Sequence, residues 1–526
     1  MSVNSIRSLV EVANSLSNEK IALVDKNVQL TYGELYEKIN KLAQYLTSLN
    51  LPKGSRVGIY SHKDYNKVIA ILAVLSTDYV LVPITRLLKA EQVDHIVKDC
   101  NIQCIITDEQ KLKVIEDIEF NGTIITDKSY NKDIVSFEEI FKCYKGEFTC
   151  SIKGHDNAVI TYYDIGLDGL PKGVVMTHRN LIDCARVATN YLDICEDDVI
   201  SGLLSFSFDY GLNQLFCSLY KRATFAVHTF TLPSEFFTHI IKDNVTVLAL
   251  MPINITQMFD EDLRRLPSAN QLQNIRVITS SGGNITDAML TKLEERFENS
   301  NFYYMHGLSE AFRSTYLDPK QLKIRPKSIG KAIPDVDLYI VNEDGNECKP
   351  REVGELIHRG LGIYKGYWGS KEETTQRFKS IKILDKVLDL SDNLTDEIVV
   401  ASGDYVYSDE EGYIYFVGRH DDMIKSSGYR FSPVEIETVV YSNIDTIKEC
   451  AVFSIENSDI EEEVVLVYSG NTELSKNEIL FELKKHLPTY MIPAIVVFKQ
   501  NMPLLSSNRN KIDKQALKKE ILLQYK

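Results

Sequence analysis

Short apolar runs recur along most of the chain, and the segments between them carry apolar residues every third or fourth position. Runs at 56–60, 79–84, 104–108, 158–163, 245–250 and 275–279 read as strands. Helical patterns follow at 66–76, 180–192 and 286–297, the last with Met289, Leu290, Leu293 and Phe297 on one face. Continuously apolar strands separated by helices predict parallel sheets covered on both sides. Such a chain is a layered α/β protein, and long fibrous or repeat architectures are excluded.

The last hundred residues change character. Residues 412–417 alternate like a hairpin strand, and Ser432-Pro433-Val434-Glu435 is a capping box with proline at the first helical position. Strands at 449–454 and 464–468, a helix at 476–487 stopped by Pro488, and a strand at 494–498 complete a βαββαβ-like order. This predicts a large N-terminal unit, 1–420, and a small α+β unit, 421–526, with the boundary at Asp421.

Charge and cysteine usage then narrow the function. Fifty-nine basic against 74 acidic residues leave a net charge of -15, the opposite of a nucleic-acid-binding footprint. No apolar run reaches the ~18 residues that span a bilayer, and no signal-peptide core is visible near Met1. The nine cysteines are scattered singly without a Cys-x-x-Cys pair, which reads as free thiols in a reducing compartment. The expectation is a cytoplasmic enzyme without a membrane span.

Four loops carry chemistry. After the strand at 158–163 comes Asp164-Ile165-Gly166-Leu167-Asp168-Gly169-Leu170-Pro171-Lys172-Gly173. Its glycines let backbone N–H groups approach phosphate and its lysine adds charge, although a polar surface turn has the same composition. The strand at 275–279 enters Ser280-Ser281-Gly282-Gly283. The strand at 302–305 leads into His306-Gly307-Leu308-Ser309-Glu310, whose hydroxyl and carboxylate suit phosphate and Mg²⁺ or simply cap a helix. Asp404, followed by Gly418-Arg419-His420-Asp421 and Gly428, offers a ribose-binding carboxylate or an ordinary turn. Near the end, Lys511 lies in a charged run.

Taken in order, these segments resemble the motifs of the adenylate-forming (ANL) superfamily, which comprises acyl-CoA synthetases, peptide-synthetase adenylation domains and firefly-type luciferases. Leu30-Thr31-Tyr32-Gly33-Glu34-Leu35, Gly354-Glu355-Leu356, Gly366-Tyr367, Thr374 to Phe378 and Leu487-Pro488-Thr489-Tyr490-Met491-Ile492-Pro493 match further motifs. The run from Gly307 to Leu317 is similar to bacterial acyl-CoA ligases of the exosortase-associated type. The resemblance implies the ANL fold, with a C-terminal lid that rotates between two half-reactions. In the first, a carboxylic acid and ATP give acyl-adenylate and pyrophosphate; in the second, the acyl group passes to CoA or to a carrier protein's phosphopantetheine. Alternatives are an amino-acid-activating enzyme that loads a separate carrier protein, since no carrier serine motif follows residue 430, and a non-catalytic nucleotide- or acyl-binding module.

By motif position the resemblance implies that Lys511 bridges the substrate carboxylate and α-phosphate, Ser309 contacts the α-phosphate and Glu310 holds Mg²⁺. It places His306 and Gly307 at the adenine, Asp404 and Arg419 at the ribose, and Gly166, Gly169, Lys172, Gly282 and Gly283 around the nucleotide. Asp421 becomes the hinge, and Gly428 lies by the pantetheine. Phe208 and Asp209 line the acyl pocket; Asp209 either pairs with a substrate ammonium or caps the helix that follows. The departure from the family is in the phosphate loop, where Asp164 and Asp168 stand among positions usually held by Thr and Ser.

Overall fold

The computed structural model describes all residues except 1–2, 131–133, 146–147, 164–171, 260–265, 284, 391–395, 420–423, 427–428, 457–461, 506–511 and 525–526. A seven-stranded sheet runs, in spatial order, Val135–Ser136, Thr123–Thr126, Ile102–Thr107, Arg56–Tyr60, Val80–Pro83, Asn157–Tyr163 and Lys172–Thr177. Every pair is parallel except the last. The helix Tyr65–Val74 between its strands has all residues from Val68 to Val74 fully buried. This is why the local sequence is apolar on every face: it is a core helix with no side left for water.

A 14-stranded sheet forms the other large layer. Its centre is parallel, in the order Ile21–Asp25, Thr224–Val227, Val199–Gly202, Val247–Leu250, Val277–Ser280 and Asn301–His306. From Asn301–His306 outward the pairing turns antiparallel through Thr315–Leu317, Ser328–Ala332, Ile414–Arg419, Ile398–Ser408, Gly354–Gly360 and Val336–Val341. The parallel, doubly covered strands are the ones whose sequence is continuously apolar.

Local chemistry explains the element starts. The Thr31-Tyr32-Gly33-Glu34 motif is a capping box for Tyr32–Ser48: Glu34 N–H donates to Thr31 Oγ1 at 3.2 Å, and Thr31 N–H to Glu34 Oε2 at 2.8 Å. A Cβ at Gly33 would meet the end of the Asn18 side chain, Nδ2 at 2.7 Å, so a larger residue there would displace that side chain. The expected box at Ser432 likewise starts the helix Pro433–Asn443.

Beyond residue 423, a hairpin of Ile424–Ser426 and Tyr429–Phe431 precedes that helix. The strands Ile447–Glu456 and Glu462–Gly470 pair antiparallel, and Ile495–Phe498 joins the latter in parallel. The helix read as 476–487 is Lys476–Leu483, because its last residues tighten into turns before Pro488. The expected boundary, Asp421, lies outside the described residues. No helix among the described residues is long and apolar enough to cross a membrane.

The glycine-rich loop needs a correction. The sequence reads as strand, loop, helix; the structure inserts the strand Lys172–Thr177 before the helix His178–Tyr191. Tyr163 and Lys172 face each other across an antiparallel pair, so the loop joins the two arms of a hairpin. Val174-Val175-Met176 is the apolar, β-branched run that makes this strand.

Candidate active site

The parallel strands Val277–Ser280 and Asn301–His306 end side by side, with Ser280 opposite Tyr304. Past the first, Gly282 adopts φ +85°, and Tyr304 Oη donates to the Gly283 carbonyl at 3.1 Å, tying this loop to the neighbouring strand. Past the second, the chain turns back on itself. Ser314 N–H donates to the His306 carbonyl at 2.8 Å and Leu308 N–H to that of Ala311 at 2.9 Å. A Cβ on Gly307 would lie 2.6 Å from Arg313 Cα, so only glycine permits this return. The segment is a loop between antiparallel strands, with Ser309 half-buried on it and Glu310 buried, and no helix follows for either to cap.

Asp404 comes to the same place from a different strand. Its carboxylate is buried, accepts from His306 Nε2 at 3.1 Å and lies 3.3 Å from Arg419 Nε, its cross-strand neighbour. Burial alone would raise this carboxyl group. The His306 hydrogen bond and the charges of His306 and Arg419 outweigh it and hold the group below its ordinary value. Phe416 packs beside the imidazole, ring centroids 5.9 Å apart. Just before Asp404, Gly403 adopts φ +70° and donates its N–H to Glu355 Oε1 at 2.8 Å. The Gly354-Glu355-Leu356 motif thus holds the glycine that precedes Asp404 within the strand Ile398–Ser408, where the sequence also allowed an ordinary turn.

His358 lies behind this cluster. It is 1% exposed, with Nδ1 at 2.5 Å from Ser314 Oγ and Nε2 without a partner. Burial first, and then the charge of His306, push it down to about 3, so it is neutral.

A strap from Gly366 to Phe378 connects the site to the hairpin. Val175 N–H donates to the Gly366 carbonyl at 3.0 Å, and Trp368 N–H to that of Gly173 at 2.7 Å. The Tyr367 hydroxyl donates to Glu310 Oε1, while its own N–H is held by Thr374 Oγ1 at 2.9 Å. On the same strap, Glu373 forms an ion pair with Lys172, the lysine expected to face phosphate. Tyr367 belongs to a motif legible in the sequence, but its contact with Glu310, 57 residues away, is not; Glu373 does not stand out at all, because what marks it is a contact 201 residues away.

Phe208 and Asp209 open the helix Asp209–Lys221. Phe208 is the N-cap residue and offers no side-chain cap, so Asp209 is the first helical residue rather than the cap. Its Oδ1 accepts from Tyr210 N–H at 2.8 Å and its Oδ2 from Tyr364 Oη at 3.0 Å. A carboxylate here still favours the helix N-terminus. The structure therefore brings Gly282, Gly283, His306, Gly307, Ser309, Glu310, Asp404 and Arg419 around one set of strand ends. Gly166, Gly169, Asp421, Gly428 and Lys511 lie outside the described residues.

Residues 10–368 match the family model described as AMP-binding enzyme. Tyrocidine synthase 1 of Brevibacillus parabrevis is 26% identical over 516 residues, 98% of this chain and 45% of that protein. Gramicidin S synthase 1 of Brevibacillus brevis is also 26% identical, over 98% of this chain and 44% of its own. The chain thus spans less than half the length of these curated relatives. Among solved structures, o-succinylbenzoate CoA synthetase from Bacillus subtilis, in complex with an acyl-adenylate intermediate, superimposes with a TM-score of 0.82 at 23% identity over 97% of both chains. ATP-bound MatB from Rhodopseudomonas palustris gives a TM-score of 0.85 at 21% identity, over 99% of this chain and 100% of its own. These likenesses place the fold among adenylate-forming enzymes.

Proposed function

Since this chain belongs to the AMP-binding enzyme family, we propose that it is an acid–thiol ligase acting through an acyl-adenylate. A carboxylate oxygen attacks the α-phosphorus of ATP, the bond to the β-phosphate breaks, and pyrophosphate leaves. The thiol of CoA, or of a separate carrier protein's phosphopantetheine, then attacks the acyl carbon, loses its proton and expels AMP. The first step relies on positioning and charge neutralisation rather than covalent help.

The observation that carries this reading is the convergence of His306, Asp404 and Arg419 beside the Ser309–Glu310 loop. Asp404, kept ionised, is suited to accept from ribose hydroxyls, and His306 with Phe416 offers a face for adenine. Glu310 fits a Mg²⁺ role, since Tyr367 engages Oε1 and phosphate oxygens would complete the shell. Bound Mg²⁺ neutralises phosphate charge. By motif position Ser309 would reach the α-phosphate and Lys511 the reacting oxygens, with Gly166, Gly169 and Lys172 along the phosphates. Gly428 would lie by the pantetheine, and the unit 421–526 would turn at Asp421. The acid would lie against Phe208 and Asp209. The nine unpaired cysteines fit a reducing, cytoplasmic setting.

The test is pyrophosphate exchange into ATP with Mg²⁺ over fatty, aryl, hydroxy and amino acids. Exchange with one class, abolished in Lys511→Ala, is the expected outcome. No exchange with any acid, alongside measurable nucleotide binding, would favour a non-catalytic binding module. Amino-acid activation is the second reading, favoured by the similarity to peptide synthetases. It requires exchange only with acids bearing an ammonium, lost in Asp209→Ala.

A further inference from the structure

A carboxylate has two oxygens, and a group that hydrogen-bonds one of them decides which is left to a cation. Glu310 is 5% exposed, and its Oε1 accepts from the Tyr367 hydroxyl. Its Oε2 has no hydrogen bond or ion pair with any described residue. Unlike Ser280 Oγ and His358 Nε2, it is not sealed off from solvent. Burial first, and then the charge of Glu310, raise the Tyr367 hydroxyl far above its ordinary value, while Arg377 and Arg419 pull the other way without reversing it. The hydroxyl therefore keeps its proton and donates it to Oε1. Backbone pairing fixes where that hydroxyl stands. Ahead of the strap, Tyr364 N–H donates to the Glu310 carbonyl at 3.0 Å and Phe312 N–H to that of Gly362 at 2.9 Å. Three residues on, Lys365 N–H donates to the Val175 carbonyl at 2.9 Å, and Tyr367 lies opposite Val174. The Tyr367 ring is 9% exposed and meets Phe378 edge-on, centroids 5.8 Å apart. One run of backbone thus carries both Glu310 and the residue that holds it.

We propose that Tyr367 is a positioning residue that reserves Oε1 of Glu310 and leaves Oε2 alone to the cation of the bound nucleotide, so that the site selects Mg²⁺ over the larger Ca²⁺. The proposal rests on the adenylation reading and on the Mg²⁺ role given there to Glu310. The physical reason is the number of oxygens each ion takes. Mg²⁺ is small, keeps a strict arrangement of ligands and is held by one or two carboxylates together with water and phosphate. Ca²⁺ takes more oxygens in a looser arrangement and accepts both oxygens of one carboxylate. With Oε1 engaged by a buried hydroxyl, chelation through both oxygens competes with that hydrogen bond. Removing the hydroxyl costs Mg²⁺ an aimed ligand and offers Ca²⁺ a second one.

The full chain and Tyr367→Phe are compared by calorimetric titration with an α,β-methylene analogue of ATP, complexed with Mg²⁺ or with Ca²⁺. Pyrophosphate exchange into ATP is followed under the same two metals. The parent is expected to bind the Mg²⁺ complex at least about tenfold more tightly than the Ca²⁺ complex. In Tyr367→Phe the Mg²⁺ complex should weaken about tenfold while the Ca²⁺ complex does not weaken, so the preference collapses. Equal weakening of both complexes, which loss of a packing contact alone would give, overturns the proposal. So does an unmoved ratio, or a parent that binds both complexes equally. Tyr367→Phe keeps the ring and every backbone bond. Should it nevertheless fail to fold, Thr374→Val removes the oxygen that accepts from Tyr367 N–H at 2.9 Å and should move the ratio the same way by a smaller factor. Exchange in the parent with an unmoved metal ratio sinks the Tyr367 role alone. A moved ratio without exchange on any acid keeps that role and sinks the adenylation reading, and binding of neither complex sinks both.

Discussion

His358 and His178 are held neutral by the core around them, and this makes acid stability a residue-scale property. Burial pushes His358 down to about 3 and His178 to about 4, against an unfolded value near 6.5. The unfolded chain therefore binds protons at these positions before the folded one does. Their contribution is complete above the unfolded value and is lost as pH falls through the window toward 4 and then 3. We predict that His358→Gln, measured by urea unfolding at several pH values, loses stability less steeply between pH 6 and 4 than the parent, by up to about 1.4 kcal/mol per pH unit. Equal slopes would show that His358 does not stay neutral. His358 was invisible in the sequence, since a histidine in an alternating strand looks the same whether it faces solvent or the back of a site. Asp404 was legible from its motif, although it lies within the strand Ile398–Ser408 rather than in a turn; the reason it stays ionised was not, because His306 reaches it from 98 residues away.

At the scale of elements, the strap from Gly366 to Phe378 links two loops that the sequence lists as separate motifs. It holds Glu310 through Tyr367 and Lys172 through Glu373. Both members of the Lys172–Glu373 pair are partly exposed, so the pair is worth no more than about 1 kcal/mol and can be broken. Glu373→Gln should release Lys172 for phosphate and lower the KM for ATP about threefold, with Lys172→Ala raising it. Steady-state exchange at varied ATP checks this; an unchanged KM in Glu373→Gln would show that Lys172 does not serve phosphate. The apolar runs that read as strands and helices lie near their observed bounds, but many further elements, including the antiparallel strands Val336–Val341 and Gly354–Gly360, were not read from them. Lys172–Thr177 is among those missed, because a six-residue strand beside a glycine-rich loop carries too few residues to display a period.

At the scale of the whole molecule, the proposed ligase performs two chemistries with one set of strand ends, and the unit after Asp421 would serve each in turn. Asp421→Pro should then leave pyrophosphate exchange within about fivefold of the parent and reduce thioester formation at least tenfold, followed by coupled thiol consumption. Equal loss of both would count against a hinge at this position. The amino-acid order alone determined that the chain builds doubly covered parallel sheets followed by a smaller α+β segment, because hydrophobic period is a local property and burial must follow it. Its motifs likewise marked His306, Glu310 and Asp404. Tertiary structure alone decided what surrounds them: which strand end Asp404 meets, that Tyr367 holds Glu310, and that Glu373 claims Lys172. Those are meetings between residues far apart in the chain, and only the packing of the layers brings them within a few ångströms of each other.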